Sequence, residues 1–248
     1  MAWRWAAASE IGTSHIRAGS NLQDAYAVSV VGDGYVFAVV SDGAGSATFG
    51  GYGAWLVCRF LTVRFREWLR DNPGLPSEEL LVDWIENLRN LISVIAERRG
   101  SCSRQFAATL AAVLLAPEEV ITMHIGDSAV VGRRGSMWDV ICWPQSGEYA
   151  STTYFVTDDP GPRLNIARLP RDYNAFALFS DGVGELALSH LDHTAHTRFL
   201  EPMMRPVDAA VIAGHLTELS KKLKEYLASP TVCDRIDDDK TLVLISEV

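Results

Sequence analysis

The chain has 248 residues, 48% of them hydrophobic, with a formal net charge of −9 and a pI near 5.1. That is enough apolar material for one large domain over residues 1–248, and the acidic balance excludes a protein that grips nucleic acid through a basic face. The four cysteines (Cys58, Cys102, Cys142, Cys233) have neither C-x-x-C nor zinc-ligand spacing, no apolar run is long enough to cross a bilayer, and Met1 to Ser9 does not read as a signal peptide, so a soluble cytoplasmic protein without a membrane partner is expected.

Two strand-like runs, 24–31 and 35–41, flank Gly32-Asp33-Gly34, a hairpin signal. After a glycine-rich stretch, Gly43 to Gly53, apolar residues at Ala54, Val57, Cys58, Leu61, Phe65 and Trp68 predict a helix over about 54–70. Pro73 and Pro76 end it. A second helix over about 78–99 is capped by Ser77, carries Glu78 and Glu79 at its positive end, and stops at Gly100. Runs 107–115, 119–125, 128–133 and 137–143 read as strands joined by tight turns. Residues 143–171 are irregular and proline-rich, and a loop of that length in a compact domain is usually functional or mobile. A strand at 175–180, a helix over about 206–228 opening on Pro206, and a strand at 241–246 complete the chain. Strands and helices do not alternate singly, which disfavours a doubly wound parallel sheet and favours an α+β fold with an antiparallel core flanked by helices.

One pattern occurs twice. Ser41-Asp42-Gly43-Ala44-Gly45 and Ser180-Asp181-Gly182-Val183-Gly184 each follow an apolar strand. A strand end fixes the carboxylate, and the glycine is expected to turn the backbone and expose its carbonyl as a second oxygen ligand. Taken singly, Asp-Gly is a common turn. Asp24, Asp127 and the triplet Asp237-Asp238-Asp239 also border predicted strands. Carboxylates and carbonyls with few histidines or thiols form the ligand set of a hard cation such as Mg²⁺ or Mn²⁺. From chemistry alone, a divalent-metal site and a set of unrelated surface turns both remain open.

Six motifs in order carry a resemblance. They are Gly12-Thr13-Ser14-His15 leading to Gln23-Asp24-Ala25, Ser41-Asp42-Gly43-Ala44-Gly45, Phe106-Ala107-Ala108-Thr109, Ile125-Gly126-Asp127-Ser128, Phe179-Ser180-Asp181-Gly182 and Asp238-Asp239-Lys240-Thr241. Together they resemble the type 2C family of metal-dependent serine/threonine protein phosphatases, in its short bacterial branch. The resemblance implies a four-layer αββα sandwich, two mainly antiparallel sheets face to face with helices on both outer sides. It implies two Mn²⁺ or Mg²⁺ ions and a third, weaker one. Asp42 would bridge the pair, the Gly43 carbonyl would bind the second, Asp181 and Asp238 would complete the first, and Asp127 with Asp181 would hold the third. Asp24, with Gln23, would hold metal-bound water, and Thr109 would support the centre by hydrogen bonding. The implied reaction is direct hydrolysis of phosphoserine or phosphothreonine by water activated between the cations. The implied partner is a phosphorylated protein, a serine/threonine kinase or its target.

The chain departs from the family pattern at three places. Gln23 stands where glutamate is common, Ala44 where a histidine often serves as proton donor, and Gly19 where an arginine usually anchors phosphate. His15 and Arg17 are the nearby candidates for the last two tasks. Against those roles, His15 reads as a packed or capping side chain, and Arg17 equally well as a solvated charge. Arg163, Tyr149, Tyr154 and Phe155 fall in the segment 144–171, which matches the family's flap. They would contact a substrate or pin the loop. The departures leave a second reading, a weak or inactive phosphatase-fold binding module.

Overall fold

The computed structural model describes residues 2–32, 34–145 and 153–248. In chain order the elements are β1 (Trp3–Glu10), α1 (Thr13–Ala18), β2 (Ala25–Val31), β3 (Tyr35–Ser41), α2 (Gly50–Asp71), α3 (Glu78–Arg98) and a 3₁₀ turn (Ser103–Phe106). Next come β4 (Leu110–Leu115), β5 (Glu119–Ile125), β6 (Ala129–Arg134), β7 (Met137–Cys142), β8 (Asn165–Pro170), β9 (Ala175–Phe179) and α4 (Asp181–Ala187). The chain ends with β10 (Leu188–Ser189), β11 (Thr194–Ala195), α5 (Thr197–Asp208), β12 (Gly214–His215), α6 (Thr217–Leu227), α7 (Pro230–Cys233) and β13 (Lys240–Glu247).

Two sheets form the centre, in the orders β12-β1-β13-β9-β6-β7 and β2-β3-β4-β5-β8. Every pairing in them is antiparallel except β1 with β12. Side chains alternate between the faces of a strand, and this alternation sorts the core into layers. From β3, Val36, Ala38 and Val40 enter the space between the sheets, while Phe37 and Val39 face α2 and α3. From β9, Phe176 and Leu178 point inward, while Ala175, Ala177 and Phe179 face the cluster that contains α4, α5 and α6. Strands covered on both faces need no polar side, which is why β4 reads as the unbroken run LAAVLL. The result is the expected αββα sandwich.

Several expectations are corrected. The helix expected over 206–228 is two helices, and Pro206 lies near the end of α5 rather than at a helix start. Part of the irregular 143–171 stretch is an edge strand, β8, which pairs along β5 from His124↔Asn165 to Glu119↔Pro170. α2 begins at Gly50, earlier than expected. An added Cβ at Gly53 would lie 2.1 Å from the Phe106 carbonyl oxygen, so α2 and the 3₁₀ turn meet backbone to backbone. Asp33, in the predicted hairpin turn, lies outside the described residues. Among the described residues no helix is long and apolar enough to cross a membrane.

The two kinds of helical glycine give a paired prediction. Gly53→Ala has no room and should lower stability by about 3 kcal/mol. Gly184→Ala, within α4 and with nothing within 4 Å of an added Cβ, should raise it by about 0.5–1 kcal/mol. Urea midpoints of both variants check this, and a Gly53→Ala protein as stable as the parent contradicts the packing described.

Candidate metal centre

The acidic residues meet because of strand register. Ala25 pairs with Ser41, so Asp24 and Asp42, the next residues out, are neighbours at the end of the β2–β3 ladder. Leu242 pairs with Phe179 in the other sheet, which brings Ser180 and Thr241 to the same end of the sandwich. Asp181 opens α4 there. Asp127 lies in the turn where the chain passes from β5 in one sheet to β6 in the other.

Thr109 fixes the bridge between these parts. Its N–H donates to the Asp42 carbonyl at 2.8 Å. The Asp42 N–H donates to Thr109 Oγ1 at 2.9 Å, and Oγ1 also lies 2.9 Å from Ser128 Oγ. The two Asp-Gly glycines behave differently from expectation. Neither adopts the left-handed backbone that a sharp glycine turn uses. Instead, a Cβ on Gly43 would sit 2.3 Å from the carbonyl carbon of Gly50, and one on Gly182 would sit 2.0 Å from the Asp239 carbonyl oxygen. They are glycines of close approach, which let α2 and the 237–239 loop close on the two aspartates. No backbone N–H among the described residues donates to the Gly43 carbonyl, and Gly43 borders the cavity.

One oxygen from each of Asp42, Asp127 and Asp181 lies within 4.8 Å of the others. They line a cavity of about 620 Å³ together with Asp238, Ser14, His15, Gly43, Ala44, Arg104, Phe155 and Asp158, among others. Asp24 lies behind them and is buried. Its Oδ2 accepts from Ser180 Oγ and Thr241 Oγ1, each at 2.7 Å, while its Oδ1 is buried without a partner. Asp127 Oδ1 is likewise unpartnered. Gln23 lies outside the cavity lining and its side-chain oxygen is also buried and unpartnered; its N–H donates to Asp239 Oδ2 at 2.6 Å.

The three consecutive aspartates point three ways. Asp237 pairs on the surface with Arg17 at 3.2 Å. Asp238 faces the cavity. Asp239 is 2% exposed, and its Oδ1 takes the Gly12 N–H at 2.6 Å and His15 Nδ1 at 2.9 Å. A second grouping, His15 with Asp238 and Asp239, also has its atoms within 4.8 Å. There the Asp239 oxygens are already occupied by Gly12, His15 and Gln23, so it reads as a brace for the 11–23 loop. The neighbouring Lys240 is wholly buried and donates from Nζ to the Asp238 carbonyl at 3.0 Å. Sequence reasoning places this lysine and Asp239 in a motif but gives neither a role. It missed Arg104, while Arg17 lies outside the cavity.

Part of the segment matching the flap is tied down. Arg89 of α3 donates from Nη1 to the carbonyls of Val156 at 2.6 Å and Asp158 at 2.8 Å. Phe155 borders the cavity, whereas Tyr154 packs on the helical core and carries Arg163 over its ring at 4.3 Å. Tyr149 lies outside the described residues.

The electrostatics follow from burial and like charge. Burial, then the carboxylates of Asp24, Asp181, Asp127 and Asp238, pushes Asp42 well above the usual carboxylate range. Burial, then Asp127 and Asp238, raises Asp181 to about 7; burial raises Asp24 to about 6 against the pull of the Ser180 and Thr241 hydroxyls. An all-oxygen donor set, unpartnered buried carboxylate oxygens and uncompensated repulsion fit hard divalent cations.

A group whose folded value is raised stabilises the fold at low pH and loses that contribution as pH rises through the folded value. For Asp181 and Asp24 the loss falls between the unfolded value of 3.8 and about 6 to 7. Metal-free protein should therefore lose stability from these groups up to about pH 8, and Mn²⁺ should restore it. At 100 times its dissociation constant, Mn²⁺ should raise Tm by roughly 5–10 °C. The rise should be smaller near pH 5.5, where protons compete for the same oxygens. Thermal scans with Mn²⁺ and with EDTA at both pH values test this, and an equal shift at the two contradicts it.

The chain is similar to known proteins in sequence and in fold. The protein phosphatase 2C family profile matches residues 11–228. Over 249 aligned residues the chain is 33% identical to serine/threonine-protein phosphatase 3 of Escherichia coli (strain K12), a match covering 98% of each protein. Among solved structures, the serine/threonine phosphatase Stp1 from Staphylococcus aureus superposes with a TM-score of 0.67 at 15% identity, covering 98% of this chain and 94% of that one. The catalytic domain of the phosphatase PstP, in complex with two manganese ions, gives 0.68 at 19% identity over 99% and 98% of the chains. These structures carry the fold, while the breadth of the family match and the Escherichia coli relative carry the kinship: the chain belongs to the protein phosphatase 2C family.

Proposed function

We infer that this chain is a metal-dependent protein serine/threonine phosphatase, with residues 1–248 acting as one catalytic domain. The observation that carries the reading is the convergence of Asp42, Asp127 and Asp181 oxygens within 4.8 Å in an open cavity, in a member of this family.

In this reading Asp42, Asp181 and Asp238 hold one Mn²⁺ or Mg²⁺ ion. Asp42 and the Gly43 carbonyl hold a second, supported by Asp24 and, from further back, Gln23. Asp127 with Asp181 provides a weaker third position. Bound ions of this kind lower the pKa of water and neutralise charge on a phosphoryl group. The protein's own part is to keep the ligands in place. Thr109 fixes the Asp42 backbone from both sides. The Ser180 and Thr241 hydroxyls orient Asp24, leaving Oδ1 as its open acceptor. Asp239 holds the loop that carries His15, whose side chain borders the cavity where Ala44 offers no proton donor. Arg89 keeps Phe155 and Asp158 at the rim.

The substrate in this reading is a phosphorylated protein, a serine/threonine kinase or its target. The setting is the cytoplasm, in keeping with four unpaired cysteines, and the net charge of −9 speaks against nucleic acid as a partner.

Asp42→Ala should abolish Mn²⁺ binding in calorimetry and reduce phosphopeptide turnover by at least about 10³-fold, the scale expected when electrostatic stabilisation of the transition state is lost. Retention of manganese-dependent turnover by the purified variant would falsify the reading. Mn²⁺ binding by the parent protein without turnover would favour the binding-module alternative. Arg89→Ala should release the rim and raise KM several-fold with kcat little changed; an unchanged KM removes the rim from substrate binding.

A further inference from the structure

Seven side chains bordering the cavity are acidic or basic: Asp42, Asp127, Asp158, Asp181, Asp238, His15 and Arg104. Arg104 is the single arginine or lysine among the lining residues. Two divalent cations would balance four of the five carboxylates. A phosphate ester arriving as a dianion would then meet no surplus of positive charge from metal and aspartates together. A guanidinium at the rim corrects that balance, and its planar fork matches two phosphoryl oxygens at once.

The backbone under Arg104 is held firmly to the stretch that follows Asp42. The Arg104 carbonyl accepts the Ala107 N–H at 3.2 Å, and the Ala107 carbonyl accepts the Ala44 N–H at 2.9 Å. Gln105 Oε1 accepts from the Thr48 N–H at 2.9 Å and from Thr48 Oγ1 at 2.8 Å, and the Gln105 carbonyl accepts the Phe49 N–H at 2.8 Å. Phe106 is wholly buried and stacks on Phe49 with centroids 4.9 Å apart. An arginine rooted in this turn has a fixed base, and its side chain is exposed at the border of the cavity. Arg17 has neither property: it is 70% exposed, is paired with Asp237 and does not border the cavity.

We propose that Arg104 binds the phosphoryl group of the substrate, two guanidinium N–H groups donating to two of its non-bridging oxygens; the proposal rests on the phosphatase reading above. Arg104 thus sets substrate and product affinity and leaves the metal ligands untouched.

The test uses the Mn²⁺-loaded full chain with Arg104→Ala, Arg104→Lys and Arg17→Ala. Inorganic phosphate is titrated calorimetrically, KM and kcat are measured on a phosphoserine peptide, and Mn²⁺ affinity is measured separately. Arg104→Ala should weaken phosphate binding and raise KM by about 10- to 100-fold, the range of a charge-assisted hydrogen-bonded pair. Its kcat should change less, and its Mn²⁺ affinity should equal that of the parent. Arg104→Lys, which keeps the charge without the fork, should recover part of the loss. Unchanged phosphate binding in Arg104→Ala, a parallel loss of Mn²⁺ affinity, or the effect moving to Arg17→Ala overturns the proposal. If the parent protein binds phosphate through Arg104 yet hydrolyses no phosphopeptide, the phosphatase reading fails and the phosphate site stands; if the parent binds no phosphate, the site itself falls.

Discussion

Carboxylates crowded at one end of a double sheet govern this molecule. Asp24 and Asp42 are adjacent across one ladder, Asp181 reaches the same space from the other sheet, and Asp127 from the turn that joins the two. An unpaired buried charge costs several kcal/mol, and among the described residues that line the cavity Arg104 is the one arginine or lysine, while the buried Lys240 turns its ammonium to the Asp238 carbonyl. The arrangement persists because everything around it is pinned by neutral donors: the Thr109 N–H and hydroxyl, the Ser180 and Thr241 hydroxyls, and the N–H groups of Gly12 and Gln23 on Asp239. The framework is satisfied, and the oxygens left over face one another.

The framework is built at the level of the main chain. A methyl group on Gly12, Gly43 or Gly182 would lie 2.0–2.4 Å from backbone atoms of another segment. Each glycine therefore marks a point where two stretches of main chain touch. A different contact joins the sheets. Asp24 leads into β2 of the five-stranded sheet but is hydrogen-bonded by Ser180 and Thr241 of the six-stranded one. Disturbing the acidic cluster and disturbing the packing of the sandwich are thus coupled, although the carboxylates contribute little apolar surface.

Much of this was legible from sequence because both sheets are covered on both faces. Apolar runs such as LAAVLL and AFALF have few other stable homes, and the acids that follow them fall at strand ends by necessity. What failed to show has physical reasons. β1 is rich in alanine, a weak strand former, and its strand state is imposed by β13 beside it. β8 is an edge strand with alternately exposed side chains and a terminal proline, which reads as loop. The α5–α6 break was hidden because proline is common in a helix's first turn, whereas Pro206 lies inside α5 near its end. The triplet Asp237-Asp238-Asp239 has no period from which to assign its three directions. Arg17 was chosen for closeness in sequence, whereas Arg104 reaches the cavity through a 3₁₀ turn that carries no apolar pattern. The Asp-Gly glycines were recognised, but for a turn rather than for contact.

β13 occupies an interior place in its sheet, between β1 and β9, although it is the final strand of the chain. Its lead-in supplies Asp238 and Asp239, and Thr241 orients Asp24. That strand is the wedge that closes the six-stranded sheet. Without Lys240–Glu247, β1 and β9 have no partner between them and Asp24 loses the Thr241 hydroxyl that orients it. One strand thus closes the sheet and seats a carboxylate of the opposite sheet in the same act, so the fold cannot open there and keep its acidic pocket in order.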